Sequence, residues 1–187
     1  MKRIIKAIEL KYMEKTLDFV EDVFAKWSDE EEGKLVRALV KEIRGKDLYI
    51  PELELIMVNE EDEIIGYVMF SKFYLIGKDG EKCYEDDLLL LSPAAVKTEL
   101  QRQHISKEII ELGFERAKEM GYKAVIVEGN PQNYNSRGFM TSADFGIVAG
   151  KTVDLPDVKC LMVKELEKGA LEKIKGMVEY DCYESLR

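Results

Sequence analysis

Two polar segments of the chain carry the residues whose types and spacing suit chemistry. The first is the loop 97–105, which follows an apolar predicted strand at 88–96 and leads into an amphipathic helix beginning near Ser106. The first N–H groups of a helix are unpaired and carry partial positive charge, so they suit phosphate groups. We therefore expect this loop to bind a phosphorylated ligand.

The second polar segment follows an apolar run at 124–128 and contains Asn133, Tyr134 and Asn135. A phenol, whose ordinary pKa is about 10, can donate a proton to a group within hydrogen-bond reach. The alternative is a tyrosine with its ring packed and its hydroxyl at the rim, with both asparagines in a plain turn.

The N-terminal third is predicted to contain one strand and two helices. Residues 2–9 alternate as a strand does, and apolar residues then recur at three- and four-residue steps from Met13 to Trp27. A capping box at Ser28 and Glu31 opens a second helix, which Gly45 ends.

The pattern of apolar runs in the rest of the chain predicts a sheet. Runs at 53–58 and 64–70 indicate an antiparallel hairpin, and the apolar run 124–128 suits a buried strand parallel to 88–96. The predicted fold class is α+β or α/β, layered around a mixed sheet.

The order and spacing of these pieces resemble the GNAT N-acetyltransferases, in particular a bacterial subgroup of predicted acetyltransferases. In that family a strand ending in apolar-x-Val leads to the pyrophosphate loop Gln/Arg-x-x-Gly-x-Gly/Ala, and the next strand leads to a Tyr before Gly-Phe. Here Val96 ends the strand, Gln101 opens the loop and Tyr134 precedes Gly138 and Phe139. The resemblance covers nearly the whole chain.

The resemblance implies one domain over 1–187, in which residues from about 156 to 187 form closing strands and a C-terminal extension. It implies a mixed central sheet flanked by helices, whose splayed parallel strands form a cleft for the cosubstrate acetyl-CoA. The acceptor would be a small-molecule or peptide amine.

Roles for individual residues follow from the same resemblance. Tyr134 would be the general acid that protonates the departing thiolate, and backbone N–H groups at the strand end would stabilise the oxyanion. The implied coenzyme-binding residues are Ala94, Ala95, Val96, Gln101, Arg102, Gln103, His104, Ile105, Ser106 and Asn133.

His104 and Ser106 stand where the family has Gly and Gly or Ala. Glycine there lets the backbone approach a pyrophosphate closely. Ser106 could cap the following helix, and His104 either faces solvent or contacts a phosphate oxygen. The alternative function is therefore a degenerate GNAT-fold protein that acts as a non-catalytic binding or regulatory module, through a dimer interface between two copies.

The base that deprotonates the amine is not assigned by the residues alone. Glu128, at the end of the second parallel strand, and three carboxylates earlier in the chain, Glu85, Asp86 and Asp87, are candidates, although each also suits an ordinary solvated charge. A hydrolase using His104 is disfavoured, because Ser106 is too near in sequence and no Gly-x-Ser-x-Gly elbow occurs.

Composition excludes other classes of function. A formal charge of −9 argues against nucleic acid, although Lys97, Arg102 and Lys107 could hold an anion locally. No apolar run suggests a membrane span and no signal peptide is evident, so we expect a soluble cytoplasmic protein. Three dispersed cysteines suit reduced thiols, and a single histidine makes a metal site improbable.

Overall fold

The structure is a computed structural model that describes residues 2–186. Its centre is a mixed sheet in the order β1-β2-β3-β4-β5-β8-β6, with β9 pairing β3 and β7. The strands are β1 (Ile4–Ala7), β2 (Glu54–Val58), β3 (Ile64–Ile76), β4 (Lys82–Val96), β5 (Ala124–Glu128), β6 (Met140–Thr141), β7 (Ile147–Ala149), β8 (Leu161–Glu165) and β9 (Gly176–Val178). The helices are α1 (Met13–Trp27), α2 (Glu30–Arg44), α3 (Ile105–Glu119) and the single turn α4 (Pro131–Tyr134).

The predicted fold class is confirmed. Strands β1 to β4 are antiparallel neighbours, and β4 and β5 are parallel, as expected for a strand, helix, strand unit joined by α3. Strand β3 is longer than the predicted hairpin arm, because it continues past residue 70 to pair with the first half of β4.

The sheet separates two apolar cores. Side chains of α1 and α2 pack on one face against Tyr67, Leu90 and Ile126, and residues of the C-terminal segment join this core. Side chains of α3 pack on the other face against Leu91 and Val127. Side chains alternate along each strand except at register shifts; one such shift lies between Leu91 and Ala94 of β4, so that Leu90 and Ala95 both face the α1 and α2 core.

Both helix starts that the sequence suggested are shifted by one residue. The side chain of Asp29, not Ser28, caps α2 by accepting a hydrogen bond from the N–H of Glu32 at 2.9 Å. Helix α3 begins at Ile105, so Ser106 lies inside the helix and the prediction that it caps was wrong. The N-cap position belongs to His104, whose side chain makes no cap hydrogen bond.

Helix α3 lies close to the sheet because small residues line the contact. A Cβ on Gly113 would lie 2.2 Å from the ring of Phe70, and one on Gly66 of β3 would lie 2.7 Å from Ile105. These two glycines set how near the first turn of α3 comes to the end of β4.

The chain after residue 156 returns to the sheet. Strand β8 pairs antiparallel with β5, and β9 pairs with β7 and β3. Tyr183 is fully buried in the α1 and α2 core, which anchors the last described residues to the body of the molecule.

Candidate functional site

A cleft opens where β4 and β5 diverge. Their parallel pairing stops at Leu90 and Ile126, yet β4 continues to Val96. On its other edge, β4 remains paired with β3 as far as Val96. Backbone groups of residues 91–96 that face away from β3 therefore border the opening, and Ala94, Ala95 and Val96 lie at the end of this edge.

Two residues of the loop after β4 have backbone angles that glycine favours, although neither of them is a glycine. Arg102 has φ of 63°, and His104 has φ of 65° and ψ of 7°, both in the left-handed region. Histidine visits that region more readily than most residues. The chain thus reverses sharply at His104, so that the unpaired N–H groups of the first turn of α3 follow at once.

The side chains of this loop are mostly exposed. Gln101, Arg102, Gln103 and His104 are exposed, Ser106 is half-buried and Ile105 is buried in the core. The solvent-facing alternative for His104 therefore fits the structure. Ile105 can contribute only its backbone N–H to a ligand, because its side chain packs against Gly66.

An arginine from the first residues of the chain braces this loop. Arg3 donates hydrogen bonds to the carbonyl oxygen of Gln103 at 2.9 Å and to its side-chain oxygen at 3.2 Å, and it pairs with Glu108 at 3.3 Å. Sequence reasoning missed Arg3, because nothing local connects it to residues about a hundred positions later in the chain.

A second arginine that the sequence did not indicate, Arg137, connects the start of α3 with the segment that carries Tyr134. Arg137 donates from Nη2 to Oγ of Ser106 at 2.5 Å, and its guanidinium carbon lies 5.9 Å from the ring centroid of Tyr134. Its buried Nε has no partner among residues 2–186. Burial lowers the pKa of Arg137, so this cation is partly desolvated.

Tyr134 lies on the α3 side of the cleft. Its ring packs edge-on against Phe139, with centroids 5.6 Å apart, and against Gly129, where a Cβ would lie 2.7 Å away. Its hydroxyl makes no hydrogen bond within residues 2–186. Burial raises the pKa of Tyr134, against an opposing effect of the Arg137 charge, so the phenol stays protonated at neutral pH. Asn133 is exposed beside it.

The three predicted cations around the loop differ in availability. Lys97 pairs with Glu63 at 3.4 Å and Lys107 with Glu111 at 3.8 Å, whereas Arg102 makes no ion pair within the described chain. Exposed pairs of this kind contribute little stability and exchange readily. The side chains of Lys97, Arg102 and Lys107 are therefore available to contact an anionic ligand.

The four candidate bases lie at two different places in the sheet. Glu128 ends β5 beside the cleft, where the hydroxyl of Tyr180 donates to its Oε2 at 2.8 Å. Glu85, Asp86 and Asp87 lie near the start of β4, before its pairing with β5, and Asp87 pairs with Lys123 at 2.8 Å. Of the four, Glu128 alone lies at the end of the strand pair where the cleft opens.

Three further properties of the described residues concern metal ligands, thiols and membrane-spanning helices. No group of three or more His, Cys, Asp or Glu side chains within residues 2–186 could hold a metal ion. The thiols of Cys83, Cys160 and Cys182 are free. None of the described helices is long and apolar enough to cross a bilayer.

Comparison with known proteins agrees with this geometry. The sequence profile described as the acetyltransferase (GNAT) family matches residues 15–145. The chain is 27% identical over 136 residues to the uncharacterized N-acetyltransferase YhbS of Escherichia coli K12, a match that covers 68% of this chain and 71% of YhbS.

Solved structures share the fold. The structure of YhbS from Escherichia coli in complex with CoA superposes with a TM-score of 0.77 at 22% identity, covering 96% of this chain and 90% of that one. A GNAT family acetyltransferase from Brucella melitensis in complex with acetyl-CoA gives 0.71 at 17% identity, covering 100% of this chain and 99% of that one. Since the family profile matches residues 15–145, which is most of the sequence, the chain belongs to the acetyltransferase (GNAT) family.

Proposed function

We propose that the protein is an acetyl-CoA-dependent N-acyltransferase that moves an acetyl group to a primary amine by direct attack. The observation that carries the proposal is the open edge of β4 next to an anion-suited loop. The pantetheine arm would lie along residues 94–96, and the pyrophosphate would lie over residues 101–106. The related structures from Escherichia coli and Brucella melitensis, which contain CoA and acetyl-CoA, support this choice of cosubstrate.

In the proposed reaction, the amine nitrogen attacks the thioester carbon, the carbonyl oxygen gains negative charge, and the carbon–sulfur bond then breaks. Backbone N–H groups at the end of β4 would stabilise the oxygen. Tyr134 would donate its proton to the sulfur, and its raised pKa supports this role because the phenol is protonated before transfer.

The test is calorimetric titration of the protein with acetyl-CoA and with CoA at two salt concentrations. We expect micromolar binding that weakens as salt rises, since phosphate contacts are electrostatic. Tyr134→Phe should keep this affinity while lowering the turnover number by about a hundredfold. Absence of binding at millimolar coenzyme would contradict the proposal and favour the non-catalytic alternative.

A matched variant changes a polar group next to Tyr134 but leaves the phenol in place. Asn133→Ala removes an exposed amide next to Tyr134 and leaves the ring contacts with Phe139 unchanged. We expect it to reduce the turnover number less than Tyr134→Phe does. Equal turnover by Tyr134→Phe and the parent protein would show that another group protonates the thiolate.

A further inference from the structure

The peptide unit between Gln103 and His104 lies in a part of the loop that has unusual backbone angles. Arg102 and His104 are both left-handed, with φ of 63° and 65°, and neither is a glycine. A residue with a Cβ populates this region much less readily than a glycine does. Local backbone preference alone therefore does not hold the loop 101–106 in the observed conformation.

Arg3 contacts the chain on both sides of His104. Its Nη1 donates to the carbonyl oxygen of Gln103 at 2.9 Å and to Oε1 of Glu108 at 3.3 Å, and its Nη2 donates to Oε1 of Gln103 at 3.2 Å. The carbonyl of Gln103 belongs to the planar peptide unit that precedes His104, so fixing its direction restricts φ of His104. The N–H of Glu108 donates to the carbonyl oxygen of His104 at 3.0 Å, which closes the first turn of α3.

The sheet gives Arg3 a fixed position from which to hold the loop. Arg3 directly precedes β1, in which Ile4 pairs with Val58 of β2. A guanidinium presents its N–H groups in a planar fork, so one side chain can bond all three acceptors together. The side chain of Arg3 is only 22% exposed, which limits competition from water. A movement of the loop relative to the sheet would break these bonds.

The conformation of His104 matters because the unpaired N–H groups of α3 follow it directly. In the proposed site, these N–H groups face the coenzyme pyrophosphate. If His104 left the left-handed region, the chain would enter α3 along another path, and only a fraction of the molecules would present the groups correctly. The apparent affinity for the coenzyme would fall by that fraction.

We propose that Arg3 is a positioning residue for the coenzyme loop, because it holds His104 in the left-handed conformation that a glycine would adopt without support. This inference rests on the proposed acetyl transfer and adds a residue to its coenzyme site. Arg3 acts through the backbone of residues 103–104 and not through a contact with the coenzyme.

The chain has a single histidine, so the backbone of His104 can be observed directly. Protein labelled with ¹³C and ¹⁵N at histidine alone gives one histidine backbone signal in an NMR spectrum, and its HN–Hα coupling and Cα shift report φ. The variants are Arg3→Met, Arg3→Lys and the matched control Lys2→Met. Lys2 is an exposed neighbour with the same charge, and its side chain makes no hydrogen bond or ion pair within residues 2–186. Acetyl-CoA affinity and Tm are measured for each.

The His104 signal of the parent protein should show a left-handed φ, and in Arg3→Met it should move toward values averaged with other backbone conformations. Acetyl-CoA affinity should fall by about tenfold in Arg3→Met, while Tm falls by only a few degrees. Arg3→Lys should recover part of the affinity, because an ammonium keeps the charge but lacks the planar fork. Lys2→Met should match the parent protein to within about twofold.

A glycine at position 104 provides the sharpest comparison. Glycine adopts the left-handed region without strain, so Arg3→Met should lower affinity by less than about threefold when it is made in a His104→Gly background. An equal loss in both backgrounds would overturn the proposal, since Arg3 would then act by its charge or by direct contact with the coenzyme. A loss of the same size in Lys2→Met would overturn it too.

Two further outcomes separate this inference from the proposed function. If the parent protein binds acetyl-CoA but the His104 signal is the same with and without Arg3, the positioning role is wrong while the proposed function stands. If the parent protein binds no acetyl-CoA, the proposed function fails and Arg3 positions no coenzyme loop, whatever the His104 signal shows.

Discussion

His104 occupies a backbone conformation that normally selects glycine, with φ of 65°. A residue with a Cβ is strained there by roughly 1 kcal/mol or more, and the cost must be met by packing elsewhere in the domain. The loop therefore adopts a left-handed backbone conformation at His104 even though its sequence departs from the family pattern.

His104→Gly should stabilise the protein by about 1 kcal/mol, because it relieves the left-handed strain. It should also tighten acetyl-CoA binding if the exposed imidazole crowds the pyrophosphate. Thermal unfolding and calorimetry measure both effects. His104→Ala is the control, since it removes the imidazole but retains the Cβ; an equal gain in Tm from alanine would refute the strain argument.

Helix α3 is the element that sets the position of the loop. Its buried stripe includes Ile105, Ile109 and Gly113, and a Cβ on Gly113 would overlap the ring of Phe70 at 2.2 Å. Phe70 itself is fully buried and lies 6.0 Å from Phe114, edge to face, so it has little room to move. The contact between helix and sheet therefore requires a glycine.

Gly113→Ala should destabilise the fold by about 2 kcal/mol, since overpacking a dense core typically costs 1–3 kcal/mol. It should also weaken coenzyme binding, because a displaced α3 moves its N-terminal turn away from β4. Urea unfolding and acetyl-CoA titration check the two effects. Glu115→Ala, at an exposed position of the same helix, should leave both unchanged. A Gly113→Ala protein as stable as the parent would show that the helix can shift freely.

At the scale of the whole molecule, the C-terminal segment that carries Tyr180 is fastened to α2. The carboxylate of Glu42 accepts hydrogen bonds from the N–H groups of Glu184 and Ser185 at 2.6 and 2.8 Å, and from Lys46 at 2.5 Å. Burial alone would raise the pKa of Glu42, but the hydrogen bonds from Lys46 and the C-terminal residues lower it to about 2.

A carboxyl whose pKa is lower in the folded state stabilises the fold above its unfolded pKa of about 4.5, and this stabilisation is lost as pH falls toward 2. Glu42→Gln should therefore cost about 2 kcal/mol of unfolding free energy at pH 7. The difference from the parent protein should shrink between about pH 5 and pH 2. Urea unfolding across this range tests the prediction, and a difference that does not depend on pH would contradict it.

Local patterns were sufficient for most elements, and they indicated a candidate site. Apolar periodicity predicted α1 and the β2–β3 hairpin, and the residues around Gln101 and Tyr134 indicated the loop and the candidate acid, because helix and strand formation depend on neighbours in sequence. One-residue shifts at Asp29 and Ile105 show the limit of such patterns, since adjacent polar residues compete for the same cap.

The sequence by itself determined the family, the order of the elements and the candidate acid, since these depend on short motifs and local spacing. Tertiary structure alone decided that Arg3 braces the loop, that Arg137 reaches Ser106 and that Tyr180 holds Glu128. Each pair joins residues at least about thirty positions apart through side chains on different elements. Such contacts depend on sheet register and helix packing, which no local pattern of residues specifies.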